Sequence, residues 1–377
     1  MPEYLLTGRD ATGKTVTESV EAGSTDEAVR IAREAMGLDE VVLHTDDAGA
    51  LYSRQADVAG AISPRDYLRF RDLPAPIAGL LVLSRNLYRG RRWTMLLALG
   101  VVAFRRWDGR PWSWVDWLAT AYLLAPALFA AAAQIFRGEA GSYERMIDAV
   151  AWGRWEEVLR LVDELQGSNV PPEELAFQRA RALAGLGRVE EGLAAVAPYG
   201  DGEVMPEWLY LGRLPDVLCA AQRFEEARAA MERALELAPD NPTILLDMAR
   251  FEARHGDDPR RARELLEEAR EHALSDVVVP FALALEGQIV RAEGRPREAV
   301  ALLEEARGRL SAFRHASPLI GVSLDYIEAD LALAHAAAGD ADAASRHARR
   351  ALPRLRAQGD SVMIGRLRSA LGPAFEG

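Results

Sequence analysis

The sequence predicts a mainly α protein: an α-solenoid of about six helix pairs, preceded by a small ββαβ domain and an apolar helical hairpin. Alanine recurs after a gap of six residues at four places, Ala227/Ala234, Ala262/Ala269, Ala299/Ala306 and Ala344/Ala351. A turn precedes each pair, and two earlier turns, Gly153-Arg154 and Gly187-Arg188, lie 34 residues apart. Small residues at fixed places after a regular turn indicate helix–turn–helix units that stack on one another.

Residues 1–50 predict the small domain. Tyr4–Thr7 and Val16–Glu21 are β-branched or alternating and predict two strands. A capping box at Ser24–Glu27 predicts the start of a helix that stops at Gly37, and Val41–Leu43 predicts a third strand. The predicted order is therefore β-β-α-β.

Gly8–Thr15 matches the P-loop pattern G-x-x-x-x-G-K-[ST] at every position. A P-loop needs a strand before the loop and a helix that begins within it, because the helix N-terminus binds phosphate. Val16–Glu21 predicts a strand where that helix would begin, so Asp10–Gly13 is expected at a hairpin tip, with Gly13 at positive φ. Nucleotide binding through Lys14 is the alternative hypothesis for this segment.

The same residues resemble a different family. Met1-Pro2-x-Tyr4, Asp10-x-x-Gly13-Lys14-x-Val16, Ala22-x-Ser24-x-x-Glu27-Ala28 and Gly37-Leu38 resemble the extreme N-terminus of inner-membrane platform proteins of type II secretion and type IV pilus systems. The resemblance covers residues 1–45. It implies, as a second alternative, an accessory component of such an envelope machine.

The sequence predicts a linker at residues 51–76. It predicts a membrane-associated helical region at residues 77–138, with candidate spans at 93–107 and 115–136. Residues 117–136 carry no charge over 20 positions, enough for a helix of about 30 Å. Tryptophan and arginine favour the headgroup level. The interface anchors expected on that basis are Trp93, Arg105, Arg106, Trp107, Trp112, Trp114 and Trp117.

The flanking charges predict the topology and the location. Two crossings would put both termini on one side of the membrane, whereas one crossing would separate them. Arginines that flank the two candidate spans outnumber those of the link, so for two crossings the positive-inside rule places both ends in the cytoplasm. Only one of the 45 basic residues is lysine, which is typical of a GC-rich bacterial genome. The expected location is the bacterial inner membrane, with membrane lipid as one partner.

Residues 143–377 predict the repeat array. Aligning the turns gives helix pairs at 143–165, 173–199, 207–237, 243–271, 278–308 and 322–352, with a capping helix at 361–371. The period and the small residues resemble the tetratricopeptide repeat family. In that family the first helices line a concave groove that holds the ligand. The positions implied here are Phe177, Arg181, Arg250, Arg254, Gln288, Arg291 and Tyr326.

The composition narrows the function. The net charge of −12 and the pI of about 5.2 argue against nucleic-acid binding. Cys219 is the single cysteine, and the six histidines show no metal-ligand spacing. We therefore expect no enzyme activity, no cofactor and no metal. The predicted function is a membrane-anchored scaffold that recruits a protein or peptide, with an acidic segment as a ligand suited to the arginines.

Overall fold

The computed structural model describes residues 2–46, 113–124 and 138–375, apart from 115, 257, 315 and 316. The chain divides into two compact units. One comprises Met1–Gly60 together with Ser142–Gly377, and the other comprises Ala61–Gly141. The described residues are mainly helical, with a small sheet at the N-terminus and a helical repeat array, as the sequence predicts.

The N-terminal domain has the predicted ββαβ order. It consists of β1 (Glu3–Arg9), β2 (Thr15–Glu21), α1 (Thr25–Glu34) and β3 (Asp39–Leu43). The strand order is β2-β1-β3, and both pairings are antiparallel. Alternate residues of β1 face α1, so that Tyr4 and Leu6 are buried beside Ala28 and Ala32.

The P-loop-like segment forms the β1–β2 hairpin. Gly13 has a φ of 76°, and the Asp10 carboxylate accepts hydrogen bonds from the backbone N–H of Thr12 at 2.8 Å and of Lys14 at 3.0 Å. A Cβ at Gly8 would lie 2.8 Å from Leu38 Cβ, so that glycine permits close packing against β3. The predicted hairpin is confirmed: β2, rather than a helix, follows Lys14, and two of the amides that would cradle phosphate bind Asp10.

The N-terminal domain contacts the repeat array at residues 272–276. The Asp26 carboxylate accepts a hydrogen bond from the backbone N–H of Ala273 at 2.8 Å and lies 2.8 Å from His272 Nδ1. The backbone N–H of Asp276 donates to the carbonyl oxygen of Leu43 at 2.8 Å. The small domain is thus joined to the array through backbone and side-chain hydrogen bonds.

Helices α2 to α14 form the array. Their bounds are Gly138–Ala151 (α2), Trp155–Glu164 (α3), Pro172–Gly185 (α4), Val189–Val196 (α5), Glu207–Ala220 (α6), Phe224–Leu237 (α7), Pro242–His255 (α8), Pro259–Glu271 (α9), Val279–Ala292 (α10), Pro296–Ser311 (α11), Pro318–Ala338 (α12), Ala341–Gln358 (α13) and Ser361–Leu371 (α14). Helices α2 to α13 make six successive pairs, and α14 closes the C-terminal end. Short 3₁₀ turns follow α5 and α14.

The recurrent alanines lie where helices pack most closely. All eight members of the four pairs have a relative exposure of 0%. The first helices approach them closely; a Cβ at Gly287, for example, would lie 2.7 Å from Leu303 Cγ and 3.3 Å from the Ala299 carbonyl oxygen. In the first pair Val158 and Leu165 occupy the alanine places and are buried. In the second, a Cβ at Gly192 would lie 2.8 Å from the Ala180 carbonyl oxygen.

Five of the six turns inside the pairs share one backbone conformation; the exception is the turn between α8 and α9, where Gly256 is extended with a φ of −79°. Gly153, Gly187, Gly294 and Gly339 have φ values of 60°, 78°, 83° and 85°, and Gln222 takes the same place with a φ of 58°. A left-handed residue ends the first helix and reverses the chain into the second. Glycine adopts this conformation without steric cost, whereas glutamine does not.

No helix among the described residues is long and apolar enough to cross a membrane. Candidate span 93–107 and the predicted linker at 51–76 lie outside the described residues, as do the anchors Trp93, Arg105, Arg106, Trp107 and Trp112. Of candidate span 115–136, residues 116–124 are described and helical. Trp114 and Trp117 are described and highly exposed, with relative exposures of 73% and 64%.

Candidate functional site

The two ends of the repeat array touch, and we call this contact the seam. It joins the turn after α2 (150–153) to the C-terminal part of α13 (354–358). Arg354 donates to the Ala151 carbonyl oxygen at 2.7 Å and lies 3.5 Å above the Trp152 ring. Gln358 donates to the carbonyl oxygens of Val150 and Ala151 at 2.7 and 2.8 Å. The array is therefore closed rather than open-ended.

The seam depends on backbone proximity as well as side chains. A Cβ at Gly153 would lie 1.9 Å from the Ala357 carbonyl oxygen, so only glycine fits there. Arg354 is held from the other side by Asp325, with its Nε 2.9 Å from the carboxylate. A second contact runs from Arg366 on α14, which donates to the Arg254 carbonyl oxygen at the end of α8.

Closure of the array encloses a cavity of about 890 Å³. Its wall is formed by the first helices of successive pairs, α4, α6, α8, α10 and α12, together with α14. The second helices lie mainly behind this wall, and their paired alanines are buried. The array therefore has a concave interior that is large enough for an extended peptide segment or a compact ligand.

The charged lining of the cavity is mixed, with an excess of arginine. The lining arginines are Arg181, Arg213, Arg250, Arg254, Arg356 and Arg366, and the lining aspartates are Asp216, Asp247, Asp330 and Asp360. Lysine and glutamate are absent from this described lining. Because arginine presents a rigid fork of donors, such a lining suits carboxylate or phosphate groups.

Four of these arginines have no carboxylate partner. Among the residues that the structure describes, no carboxylate oxygen lies within 4.0 Å of a guanidinium nitrogen of Arg181, Arg254, Arg356 or Arg366. Arg213 and Arg250 differ, since Arg213 pairs with Glu174 at 2.6 Å and Arg250 with Asp247 at 2.8 Å. These guanidinium groups face the cavity and have no direct carboxylate partner, so they can bind an anionic ligand.

Most of the lining aspartates are already engaged. Asp360 accepts a hydrogen bond from the Tyr326 hydroxyl at 2.8 Å, and Asp330 accepts from Gln288 Nε2 at 2.6 Å. The Arg254 guanidinium lies 4.4 Å from the centroid of the same Tyr326 ring. Burial raises the pKa of Tyr326 well above its usual range, so the hydroxyl stays protonated and donates. These contacts fix the wall of the cavity before any ligand binds.

Burial has the largest effect on the pKa values of two charged residues in the wall, Asp330 and Arg366. Asp330 is 2% exposed, and its desolvation raises the pKa of that carboxyl, against the opposing effect of Arg254 and Arg291. Desolvation lowers the pKa of Arg366, and Arg254 and Arg291 add to the effect by repulsion. The three arginines therefore raise the positive potential around α8, α10 and α14.

Aromatic groups complete the lining. Phe224 and His255 stack with ring centroids 4.3 Å apart, and Phe251 lies 5.1 Å from the same His255 ring. Burial, followed by Arg254, lowers the pKa of His255 to about 4, so that imidazole is neutral at pH 7. Burial raises the pKa of Cys219 to about 11, which leaves its thiol protonated and unreactive as a nucleophile.

The residues that the sequence implies for the groove divide into two groups. Arg181, Arg250, Arg254, Gln288 and Tyr326 line the cavity. Phe177 and Arg291 do not. Phe177 is 4% exposed and packs under the Arg213 guanidinium at 4.3 Å. The Arg291 Nε is buried without a hydrogen-bond partner in the described part of the chain.

Sequence reasoning missed Arg213, Arg356 and Arg366 in the lining. Arg213 lies in the middle of α6, two turns before its end, and it could have been found by the same first-helix positions that the family resemblance implies for Arg181 and Arg250. Arg356 and Arg366 lie in the last two helices, and they enter the cavity because the array closes. No local pattern signals that closure.

Comparison with known proteins supports the repeat assignment. Residues 218–278 match the tetratricopeptide repeat family. The match spans the end of α6, then α7, α8 and α9, where the alanine pairs of the array begin. No curated protein matches the chain. The family match does not reach residues 1–45, so their resemblance to secretion platform proteins stays a prediction.

Proposed function

We propose that the protein is a protein–protein interaction scaffold that binds an acidic peptide segment inside the closed array. Tetratricopeptide repeats suggest a protein-binding role, and residues 218–278 match that family. The observation that carries the acidic preference is the set of four lining arginines without a carboxylate partner, Arg181, Arg254, Arg356 and Arg366. A ligand carboxylate would form the charge-assisted hydrogen bonds that these guanidinium groups lack.

The proposed role is one of binding rather than catalysis. Two polar pairs of the lining, Tyr326–Asp360 and Gln288–Asp330, are already hydrogen-bonded to one another. Among the described lining residues, Cys219 is a protonated thiol, because burial raises its pKa to about 11. The shifted pKa values follow from burial in the wall, which is the ordinary result of enclosing charge.

A short, glutamate-rich fluorescent peptide tests the proposal directly. Binding is followed by fluorescence anisotropy with the full chain, and a lysine-rich peptide of equal length serves as the reference ligand. Because Arg181 and Arg356 have no ion pair to lose, their replacement by alanine leaves the fold intact. Each is expected to weaken binding by roughly tenfold or more, and binding should also weaken as salt rises.

The matched control is Arg297→Ala. Arg297 is also an exposed arginine without a described ion pair, but it lies at the start of α11 outside the cavity lining. Equal loss of affinity in Arg181→Ala and Arg297→Ala would point to non-specific attraction and would refute the proposed site. Equal affinity for the acidic and basic peptides would refute the proposed ligand class.

We further propose that the scaffold is anchored to the bacterial inner membrane through residues 77–138, with the repeat array in the cytoplasm. The uncharged stretch at 117–136 supports this. So do the exposed apolar side chains at its start, where Leu118 and Leu124 are 60% and 51% exposed. Exposed tryptophan and leucine on one helix are costly in water and favourable at a lipid interface.

Arginine substitution at Leu118 and Leu124 separates the membrane proposal from a water-exposed helix. Near the centre of the span, as at Leu124, an arginine costs about 2.5–3.5 kcal/mol, and it costs less near the interface at Leu118. An exposed surface position tolerates it within about 0.5 kcal/mol. The native chain is expected to float with phospholipid vesicles, and the double variant to stay at the bottom of the gradient. If the native chain also fails to float, the anchoring proposal is wrong.

A further inference from the structure

Three helices of the last two pairs bring a glutamate and two histidines together. Glu304 lies on α11, His335 on α12 and His347 on α13, and one ligand atom of each lies within 4.8 Å of the other two. His335 and His347 are stacked, with ring centroids 5.2 Å apart and planes 8° from parallel. The positions are far apart in sequence, so the cluster exists only because these helices pack together.

His347 is oriented by a carboxylate behind it. Its Nδ1 lies 2.7 Å from Glu328 Oε2, and Glu328 is held in turn by Arg307 Nη1 at 3.1 Å. When Nδ1 carries the proton of that hydrogen bond, the lone pair is on Nε2, on the opposite side of the ring. A carboxylate on the far nitrogen is the arrangement that orients metal-binding histidines and raises their basicity.

His335 completes the nitrogen pair. Its Nδ1 lies 3.7 Å from an Asp340 carboxylate oxygen, so it too has an acidic group on one side of the ring. The side chains of His335 and His347 are 17% and 10% exposed.

Glu304 supplies the oxygen ligand at the more accessible side of the cluster. One of its carboxylate oxygens pairs with Arg307, which leaves the other free to coordinate. Arg307 therefore connects both carboxylates of the cluster, Glu304 and Glu328. It offsets part of their negative charge.

We propose that Glu304, His335 and His347 bind one divalent transition-metal ion, with Zn²⁺ favoured by the ligand types. Two imidazole nitrogens and one carboxylate oxygen are a ligand set that Zn²⁺ accepts with a fourth position left for water. Mg²⁺ and Ca²⁺ prefer sites made of oxygen alone. The ion would link α11 to α12 and α13, and thereby fasten the fifth helix pair to the sixth.

The test is Zn²⁺ titration of untagged, metal-stripped full chain by calorimetry, with Co²⁺ absorption as a report on ligand geometry. We expect one ion per chain, a visible Co²⁺ band of low-symmetry N/O coordination, and a melting temperature that rises by at least about 2 °C with Zn²⁺. His335→Phe keeps a flat ring for stacking but removes the ligand, and Glu304→Gln removes the carboxylate charge. Each should weaken Zn²⁺ binding at least tenfold.

His255→Gln is the control, since His255 is a partly buried histidine outside the cluster. It should leave the stoichiometry and affinity unchanged. The proposal is overturned if the native chain shows no saturable Zn²⁺ binding. It is equally overturned if His335→Phe and Glu304→Gln bind Zn²⁺ as the native chain does, because the ion would then be held elsewhere.

Discussion

At the scale of single residues, the five left-handed turn positions show how backbone chemistry defines the repeats. Four are glycine, and the fifth, Gln222, has a φ of 58°. A non-glycine residue in this conformation costs about 1–2 kcal/mol. Gln222 is exposed, and its backbone N–H donates to the Cys219 carbonyl oxygen at 3.0 Å, a bond that glycine would keep.

Gln222→Gly is therefore expected to stabilise the protein. The gain is about 0.5–1 kcal/mol, because relief of the strained φ exceeds the extra entropy that glycine gives the unfolded chain. Urea unfolding of the full chain measures it. Gly187→Ala places alanine at an equivalent turn with no atom within 4 Å of the new Cβ, and it should lose about 1 kcal/mol. A destabilised Gln222→Gly variant would contradict the strain argument.

Asp330 gives a pH-dependent prediction. Burial raises the pKa of this carboxyl in the folded protein. Its favourable contribution to stability is complete below the ordinary aspartate pKa of about 3.9 and is lost as pH rises through the raised value. Asp330→Asn keeps an oxygen to accept from Gln288 but cannot ionise. The variant should gain stability relative to the native chain as pH rises from 4 to 8.

Denaturant unfolding at a series of pH values, with both proteins measured side by side, checks this. The other titrating groups are common to the two proteins, so the difference between them isolates Asp330. A difference that is constant with pH would mean that Asp330 has the same pKa in the folded and unfolded chain. A difference of the opposite slope would mean that the arginines outweigh burial.

At the scale of helices and strands, local pattern predicts pairing within a unit but not the contact between distant units. The capping box at Ser24–Glu27, the hairpin at Gly13 and the alanine pairs each depend on neighbours within one or two elements, and each could be predicted from the sequence. The seam between Gly153 and Ala357 could not. It is set by small rotations that accumulate over six helix pairs.

The seam can be tested with one matched pair of variants. Gly153→Ala places a Cβ 1.9 Å from the Ala357 carbonyl oxygen, whereas Gly187→Ala meets nothing within 4 Å at a similarly positive φ. Backbone strain is common to both, so their difference reports the contact alone. Gly153→Ala should be less stable than Gly187→Ala by about 1–3 kcal/mol.

The same pair reports on shape. Small-angle X-ray scattering should show a larger radius of gyration for Gly153→Ala than for Gly187→Ala, because the ends of the array separate when the seam is blocked. If the two variants have the same free energy of unfolding and the same radius of gyration, the seam contributes nothing measurable and the array is not closed by this contact.

At the scale of the whole molecule, closure changes what the arginines can do. Arg181 on α4 and Arg356 on α13 belong to opposite ends of the array in sequence, yet both line one cavity of about 890 Å³. In an open array of helix pairs, each arginine would be a separate surface charge that salt screens. Inside a closed wall they act on the same volume, where electrostatic interactions are stronger than in bulk water.

The candidate site was therefore only partly predictable. Arg181, Arg250 and Arg254 stand at first-helix positions that the resemblance to the repeat family implies for the groove, and naming them needs no knowledge of the superhelix. The resemblance implies Phe177 as well, yet Phe177 is covered by Arg213. Arg366 and the pair His335 and His347 depend on how the last helices pack, which sequence periodicity does not encode.

Hydrogen–deuterium exchange of the full chain, with and without a saturating glutamate-rich peptide, tests the central claim most directly. The account predicts added protection in the first helices α4 and α8 and in the closing helix α14, which carry lining arginines, with little change in the outer helices α9 and α11. Protection confined to the outer helices, or none at saturation, would contradict a peptide-binding cavity inside the closed array.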